Sequence, residues 1–455
     1  MRLVVSTPKL KNRTLRGLFV ASLIMGMPAA SHGQSAEEDL RLETDVGDET
    51  LPPAPIVPAI SRISIEDDAV PPPRRRRVVE DPYAPTGIDL GAFQLFPTLE
   101  IGSVTTSNVA RNNTPESDVG LRLKPGLKLE SDWVRHQLRF SASADVLRYL
   151  DNNDLATTNG SVDSTLRLDI RRDTRADLAA SYSLTSTGAE NSEVPDTAIG
   201  ARVDHTLAAS AALTHNWGAL EGTAKLGMTR NLFGDVALAG GGREDNSDRA
   251  YTEVSASLRG SLKTGALLQP FAEVAYEPRL HDKKSDRNGL KRNSQGLRLS
   301  AGLSFADDPI WTGDIAATLQ LRKYADESLD SMLAPGITAN LNWQPTDLTR
   351  FEFNSGLSLA ETVSAGSSAT RSWNGGISMV HALRENIDFT AGIAVTLDNT
   401  NAGNSLSTTG RLGVAWDINP TLTWTAGYQG TWVNGLTSAG DYNEKQVLTS
   451  IILKR

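Results

Sequence analysis

The feature that most constrains this chain is a period of two. From Phe93 to Leu453, apolar and polar side chains alternate in stretch after stretch. In "LRLDIRRDTRADLAASYSL" (Leu166–Leu184), the apolar set is Leu166, Leu168, Ile170, Ala176, Leu178, Ala180, Tyr182 and Leu184, with charged residues between. Successive side chains of a strand point to opposite faces, so this stretch reads as two antiparallel strands joined by a tight turn at Arg172–Thr174. Each strand then has one oily face and one ionic face. Water must lie on the ionic side, either outside a soluble sandwich or inside a barrel whose oily face meets lipid.

The pattern repeats to give an expected all-β chain of about 18 strands. The connections decide between the two settings. Short ones such as "HNWG" (His215–Gly218), "QPTD" (Gln344–Asp347) and "DINP" (Asp417–Pro420) alternate with longer polar ones such as Ser186–Ala201, Phe233–Arg249, Arg279–Asn293, Glu361–Ala369 and Asp398–Ser405. Transmembrane barrels have this asymmetry, with tight turns at one rim and long loops at the other. Strands of about 11–14 residues also suit the ~10 residues that cross a bilayer at a tilt, where soluble strands average nearer 5–6. The expected fold is therefore a transmembrane antiparallel β-barrel over residues 91–455, with both ends at the short-turn rim. Aromatics agree: Trp133, Trp217, Trp311, Trp343 and Trp416 stand at or beside short turns, and Tyr149, Tyr251 and Tyr324 stand near long loops, as two interfacial girdles would require. A mean hydropathy of −0.28 does not oppose this, because only alternate residues would face lipid.

Upstream, a basic start (Arg2, Lys9, Lys11, Arg13, Arg16) leads into the apolar run Gly17–Ala30 and then small residues, which reads as a secretory signal peptide over residues 1–33. The run is too short for a spanning helix, which needs about 20 residues. Residues 34–90 are acidic, then proline-rich, then basic at Arg74–Arg77, and are expected to form a disordered periplasmic tail. The arginine run could hold an anionic polymer or could simply be solvated linker. With no cysteine there is no disulfide and no thiolate metal site. A net charge of −9 argues against nucleic acid as a partner.

Three segments carry a family resemblance: "DPYAPTGIDLGAFQLFPTLEIG" (Asp81–Gly102), "LRLKPGLKLESDWVRHQLRFSASADVLRY" (Leu121–Tyr149) and Leu166–Leu184. They resemble the Putative beta-barrel porin 2 family of Gram-negative outer-membrane proteins. The resemblance covers about Asp81–Arg455 and implies an outer-membrane barrel, some members being associated with exopolysaccharide production and export. It carries over no catalytic motif and no site residue. The chain ends "IILKR" where many such barrels end on an aromatic residue.

Little else points to chemistry. The histidines form no metal-ligand spacing, and no cofactor or metal is expected. A serine–histidine pair assembled across strands would be the route to a lipid-acting enzyme. The ionic face is the richer inventory. Candidate pore-lining residues are Arg139, Arg167, Asp169, Arg171, Arg259, Arg298 and Arg350. The same face takes Asp145, Arg175, Asp177, Glu221, Lys225, Glu253, Glu273, Asp314, Arg322, Glu352, Asp388 and Arg411. Both signs are nearly balanced, which predicts a hydrated interior held by ion pairs and no strong ion selectivity. The loop Arg279–Asn293 carries six cations (Arg279, Lys283, Lys284, Arg287, Lys291, Arg292) against two aspartates. It could sit among lipopolysaccharide phosphates, draw anionic polysaccharide, or be a plain solvated loop. The expected function is a porin-like aqueous channel for small hydrophilic solutes. The alternatives are an exopolysaccharide-export accessory and a lipid-acting enzyme. Expected partners are outer-membrane lipids, lipopolysaccharide and the barrel-assembly machinery, and the sequence sets no oligomeric state.

Overall fold

A computed structural model describes residues 82–455 apart from 189–190, 192, 196, 306–309, 361–369, 401–402 and 436–440. The signal-peptide reading, and the tail reading up to residue 81, lie outside the described residues. The chain forms one closed antiparallel barrel of 18 strands. They are β1 Phe93–Thr106, β2 Asp118–Ser131, β3 His136–Tyr149, β4 Thr157–Arg171, β5 Thr174–Thr187 and β6 Arg202–Asn216. Then come β7 Leu220–Phe233, β8 Tyr251–Leu262, β9 Leu268–Tyr276, β10 Ser294–Phe305, β11 Trp311–Tyr324 and β12 Met332–Thr346. The last six are β13 Thr349–Ala360, β14 Thr370–Arg384, β15 Ile387–Thr400, β16 Gly403–Asn419, β17 Leu422–Asn434 and β18 Tyr442–Lys454.

Each strand pairs with its neighbours in sequence, and β18 returns to β1 in the register Thr98↔Lys454 to Thr106↔Gln446. Closure removes the unpaired edges that a bilayer would penalise at several kcal/mol per orphaned group. Ile88–Asp89 folds back along the start of β1, so the end of the expected tail already belongs to the barrel rim.

The alternation sorts the faces as expected. Leu121, Leu207, Leu226, Leu258, Leu299, Ile393 and Leu412 are large, apolar and exposed. At the short-turn rim Phe305, Trp311, Trp343 and Phe351 stack on the outer face of β10–β13 at centroid spacings of 5.0–5.5 Å. Trp416 stands opposite Trp424 in the β16–β17 register. This is one aromatic girdle.

The other girdle needs correction. Tyr149, Tyr251 and Tyr324 are 3–5% exposed. Counting in twos from the lipid-facing leucines puts all three on the inner face: Tyr149 packs with Val104, Val109 and Leu147, and Tyr251 lies beneath the Arg279 guanidinium. Sequence position told their height but not their side. A second correction concerns Asp398–Ser405. β15 and β16 stay paired to Thr400↔Gly403, so this connection is a tight hairpin and not a long loop.

The wall has one irregularity of a different order. β12 pairs with β11 along its length, from Met332 to Trp343, but with β13 only as far up as Ala339↔Ser355. Above that point β13 stays paired with β14 to Ala360↔Thr370 while leaving β12.

Candidate functional site

The inner face is the candidate site, and its charges are largely matched in place. Five pairs among the described residues lie within single strands at i, i+2 spacing, where two side chains share a face, Lys128–Glu130 at 3.3 Å being one. Arg167–Asp169 meets at 2.9 Å, Arg175–Asp177 at 2.8 Å, Arg202–Asp204 at 2.8 Å and Arg350–Glu352 at 3.3 Å. Arg122 on β2 pairs with Asp145 on β3. Arg298 on β10 reaches Glu277 at 2.7 Å and Glu273 at 4.0 Å.

Other pairs span more of the wall. Arg259 on β8 crosses β9 and β10 to reach Asp314 on β11 at 3.2 Å, lying 3.5 Å above the Phe271 ring. Glu253 on β8 is shared by Arg279 and, at 3.5 Å, by Arg322 on β11. These diagonal links tie four adjacent strands together. The three guanidiniums are each less than a tenth exposed or close to it. Removing one partner of such a pair strands a charge, at a cost of about 3–5 kcal/mol.

The seven candidate pore-lining residues all fall on the inner face by strand parity. They do not form one cluster. Arg139 is 3.7 Å from Glu130 and its side chain is 41% exposed. Arg171 ends β4 at the short-turn rim and is exposed. The remainder are held in the pairs above. Sequence reading passed over Arg122, although Leu121 and Leu123 on either side already place it inside. It also passed over Arg202 and Asp204, which stand at the loop boundary where strand limits are least legible. Both are 2% exposed, and Arg202 also donates to the Glu193 carbonyl at 2.9 Å, from the loop above.

The loop between β9 and β10 is basic in composition but not in effect. Arg279 is buried against Glu253, and Arg292 pairs with Asp286 at 2.9 Å. Arg287 is held by Glu244 and, at 3.0 Å, by Asp248 of the preceding loop, and these contacts raise its pKa. Lys283 bonds Ser247 Oγ at 2.6 Å. Lys284 and Lys291 are exposed. Four of the six cations are thus engaged within the protein, and two of them, Arg287 and Lys283, join this loop to the one before β8.

Histidines serve as structural partners: His205 Nδ1 meets Tyr182 Oη at 2.8 Å on the lipid face, and His215 and His381 meet Thr174 and Thr349. Among the described residues no group of histidines and carboxylates is arranged to hold a metal.

Where β13 leaves β12, the inner face turns apolar. Leu357 and Leu359, which alternation would place against lipid, are 0% and 4% exposed. They pack with Ala334, Met332 and Trp373. Met332, Ala334 and Gly336 are the inner-face residues of upper β12, so the upper part of β13, Leu357–Leu359, lies inside the barrel, behind β12. Its freed carbonyls are met by inner-face side chains: Gln320 Nε2 donates to Leu357 O at 3.0 Å and Arg279 Nη1 to Leu359 O at 3.1 Å.

Comparison with known proteins agrees with the architecture. The model of the Putative beta-barrel porin 2 family matches residues 81–455. The chain belongs to that family. It is an outer-membrane β-barrel of porin-like type. No curated protein matches it. Among solved structures, the ferric enterobactin receptor PfeA from Pseudomonas aeruginosa is similar at 10% identity and a TM-score of 0.38, over 80% of this chain and 81% of that one. The FrpB iron transporter from Neisseria meningitidis is similar at 12% identity and a TM-score of 0.39, over 76% of this chain and 64% of that one.

Proposed function

We propose that the barrel is a water-filled channel that passes small hydrophilic solutes across the outer membrane. The observation that carries this reading is the combination of a closed 18-strand wall with an inner face of charge-matched side chains. Barrels of 16–18 strands are wide enough for an aqueous lumen. In this reading the long loops face outward among lipopolysaccharide, the short turns and the N-terminal tail face the periplasm, and the assembly machinery inserts the chain. An export accessory that engages acidic polysaccharide would rely on the Arg74–Arg77 run and on the exposed Lys284 and Lys291 of the loop.

The test is a planar-bilayer recording of purified protein. Discrete conductance steps with weak ion selectivity are expected, because the paired charges leave little net field. Arg259→Ala removes the link to Asp314 and should shift selectivity toward cations. Failure of both conductance and liposome swelling would remove the channel reading.

A further inference from the structure

We propose that the inward-lying upper part of β13 (Gly356–Leu359) is a built constriction that sets the width of the lumen's long-loop half and leaves a break in the wall between β12 and β13. The placement stands on contacts alone; its effect on passage rests on the channel reading above.

Four observations converge on it. First, the hairpin has a seat. Ala334 and Gly336 on the inner face of upper β12 are small, and a Cβ added at Gly336 would lie 3.0 Å from Leu357 Cβ, so only glycine lets Leu357 lie there undisturbed. Second, the carbonyls of Leu357 and Leu359 that face away from β14 are satisfied by Gln320 and Arg279, as a buried backbone requires. Third, pairing of β13 with β12 stops at Ser355, next to Gly356 and level with Gly375–Gly376 on β14, and glycine inside a strand commonly marks a place where its course changes.

The fourth observation concerns the abandoned edge. Gln344 N donates to Ile310 O, on the β11 side, at 2.8 Å. In an antiparallel ladder the amides of one strand alternate sides, so even-numbered residues of β12 point to β11 and odd-numbered ones to β13. Pro335 is odd. Its missing N–H therefore falls on the edge that β13 has left, the one side of this strand where no ladder bond is lost. A continuous wall would put Pro335 opposite Leu359 by extending the Ala339↔Ser355 register, and would lack a bond there.

The cysteine-free chain makes the test direct. In Gly336→Cys/Leu357→Cys the two Cβ atoms meet only with the hairpin inside. In Gly336→Cys/Ser358→Cys they would face each other only in a continuous wall, where extended register makes them partners. After mild oxidation, trypsin cuts at Arg350 between the sites, and linked peptides report the disulfide. Cross-linking of the first pair and not the second is expected; the reverse overturns the placement.

Gly336→Leu, which fills the seat, and the double variant Gln320→Ala/Arg279→Ala, which frees the carbonyls, should each raise single-channel conductance at least about twofold, since conductance follows the open cross-section. Two variants guard against one failing to fold, checked by heat-dependent gel mobility. Unchanged conductance in correctly folded variants overturns the constriction. Silence of wild type and variants alike removes the channel reading, and the width-setting role with it, while the cross-links still decide where the hairpin lies.

Discussion

Leu258→Arg tests the assignment on which the rest depends. Leu258 lies on the outer face of β8, 63% exposed, opposite Ala224 on β7 and Val274 on β9. It stands four residues from Leu262 at the short-turn end of the strand. At a rise of about 3.4 Å per residue and a tilt near 40°, that is roughly 10 Å along the membrane normal, close to the midplane of an apolar band about 25 Å tall. An arginine there should cost about 2–4 kcal/mol. That is a fall of roughly thirty-fold to several-hundred-fold in the folded-to-unfolded ratio, at 1.36 kcal/mol per decade. Two controls bracket it. Leu262→Arg, at the rim, should cost only about 0–1 kcal/mol. Ser255→Arg enters the water-facing side, with Gly227 opposite and Glu253 two residues away, and should be nearly neutral. The assay is urea titration of protein refolded in phospholipid vesicles, followed by heat-dependent gel mobility. On a soluble surface, replacing an exposed leucine by arginine changes stability by within about 0.5 kcal/mol. If Leu258→Arg matches wild type while Ser255→Arg is the damaging change, the faces have been assigned the wrong way round.

Arg287→Ala should release the loop before β8 from the loop before β10 by breaking the Glu244 and Asp248 contacts. For a half-exposed network worth about 1 kcal/mol, protease cleavage of these loops in intact vesicles should speed up roughly five-fold. Asp326, whose carboxylate accepts bonds from Ser328 Oγ and the Ser328 and Lys291 amides, has its pKa lowered from 3.8 to about 2, first by the Ser328 side chain. A depressed folded-state value means its contribution is complete above pH 3.8 and is lost as pH falls towards 2. Hydrogen exchange in residues 325–331 should therefore quicken across that window in wild type, and Asp326→Asn should exchange quickly on both sides of it.

Strand number and the direction of each face were legible because the period of two is sustained and lipid tolerates no slip of register. What alternation could not deliver was depth and departure. Tyr149, Tyr251 and Tyr324 were placed at the right height and on the wrong side, because aromatics at a rim serve equally as girdle or as packing under inward loops. Leu357 and Leu359 kept the alternation of an outward face, yet that face meets β12 and not lipid. Their signal lay in neighbours: Gly356, Gly375 and Gly376 at about one level, with Pro335 and Gly336 on β12, Gly336 lying against Leu357. The ion pairs were half legible. A charged residue between two leucines is inward by arithmetic, but whether it pairs along its own strand or diagonally across two others depends on the stagger of the barrel.

That distinction bears on how the barrel is made as well as on what it passes. Arg167–Asp169, Arg175–Asp177, Arg202–Asp204 and Arg350–Glu352 can each form as soon as one strand is extended, before any neighbour is in place. A strand entering the bilayer with its charges already coupled meets a smaller desolvation penalty than one carrying separate ions. The diagonal pairs cannot form this way. Arg259–Asp314 and the Glu253–Arg279–Arg322 group need β8 through β11 in final register, so they report closure of that arc. The Glu253 group also touches the inward-lying part of β13, through Arg279 on the Leu359 carbonyl. The field along the inner face is then uneven in place and not in sum: two guanidiniums share Glu253, and Arg298 meets two carboxylates. If the barrel is a channel, a solute would meet an oriented local field beside the proposed constriction, which favours discrimination by size and dipole over discrimination by net charge.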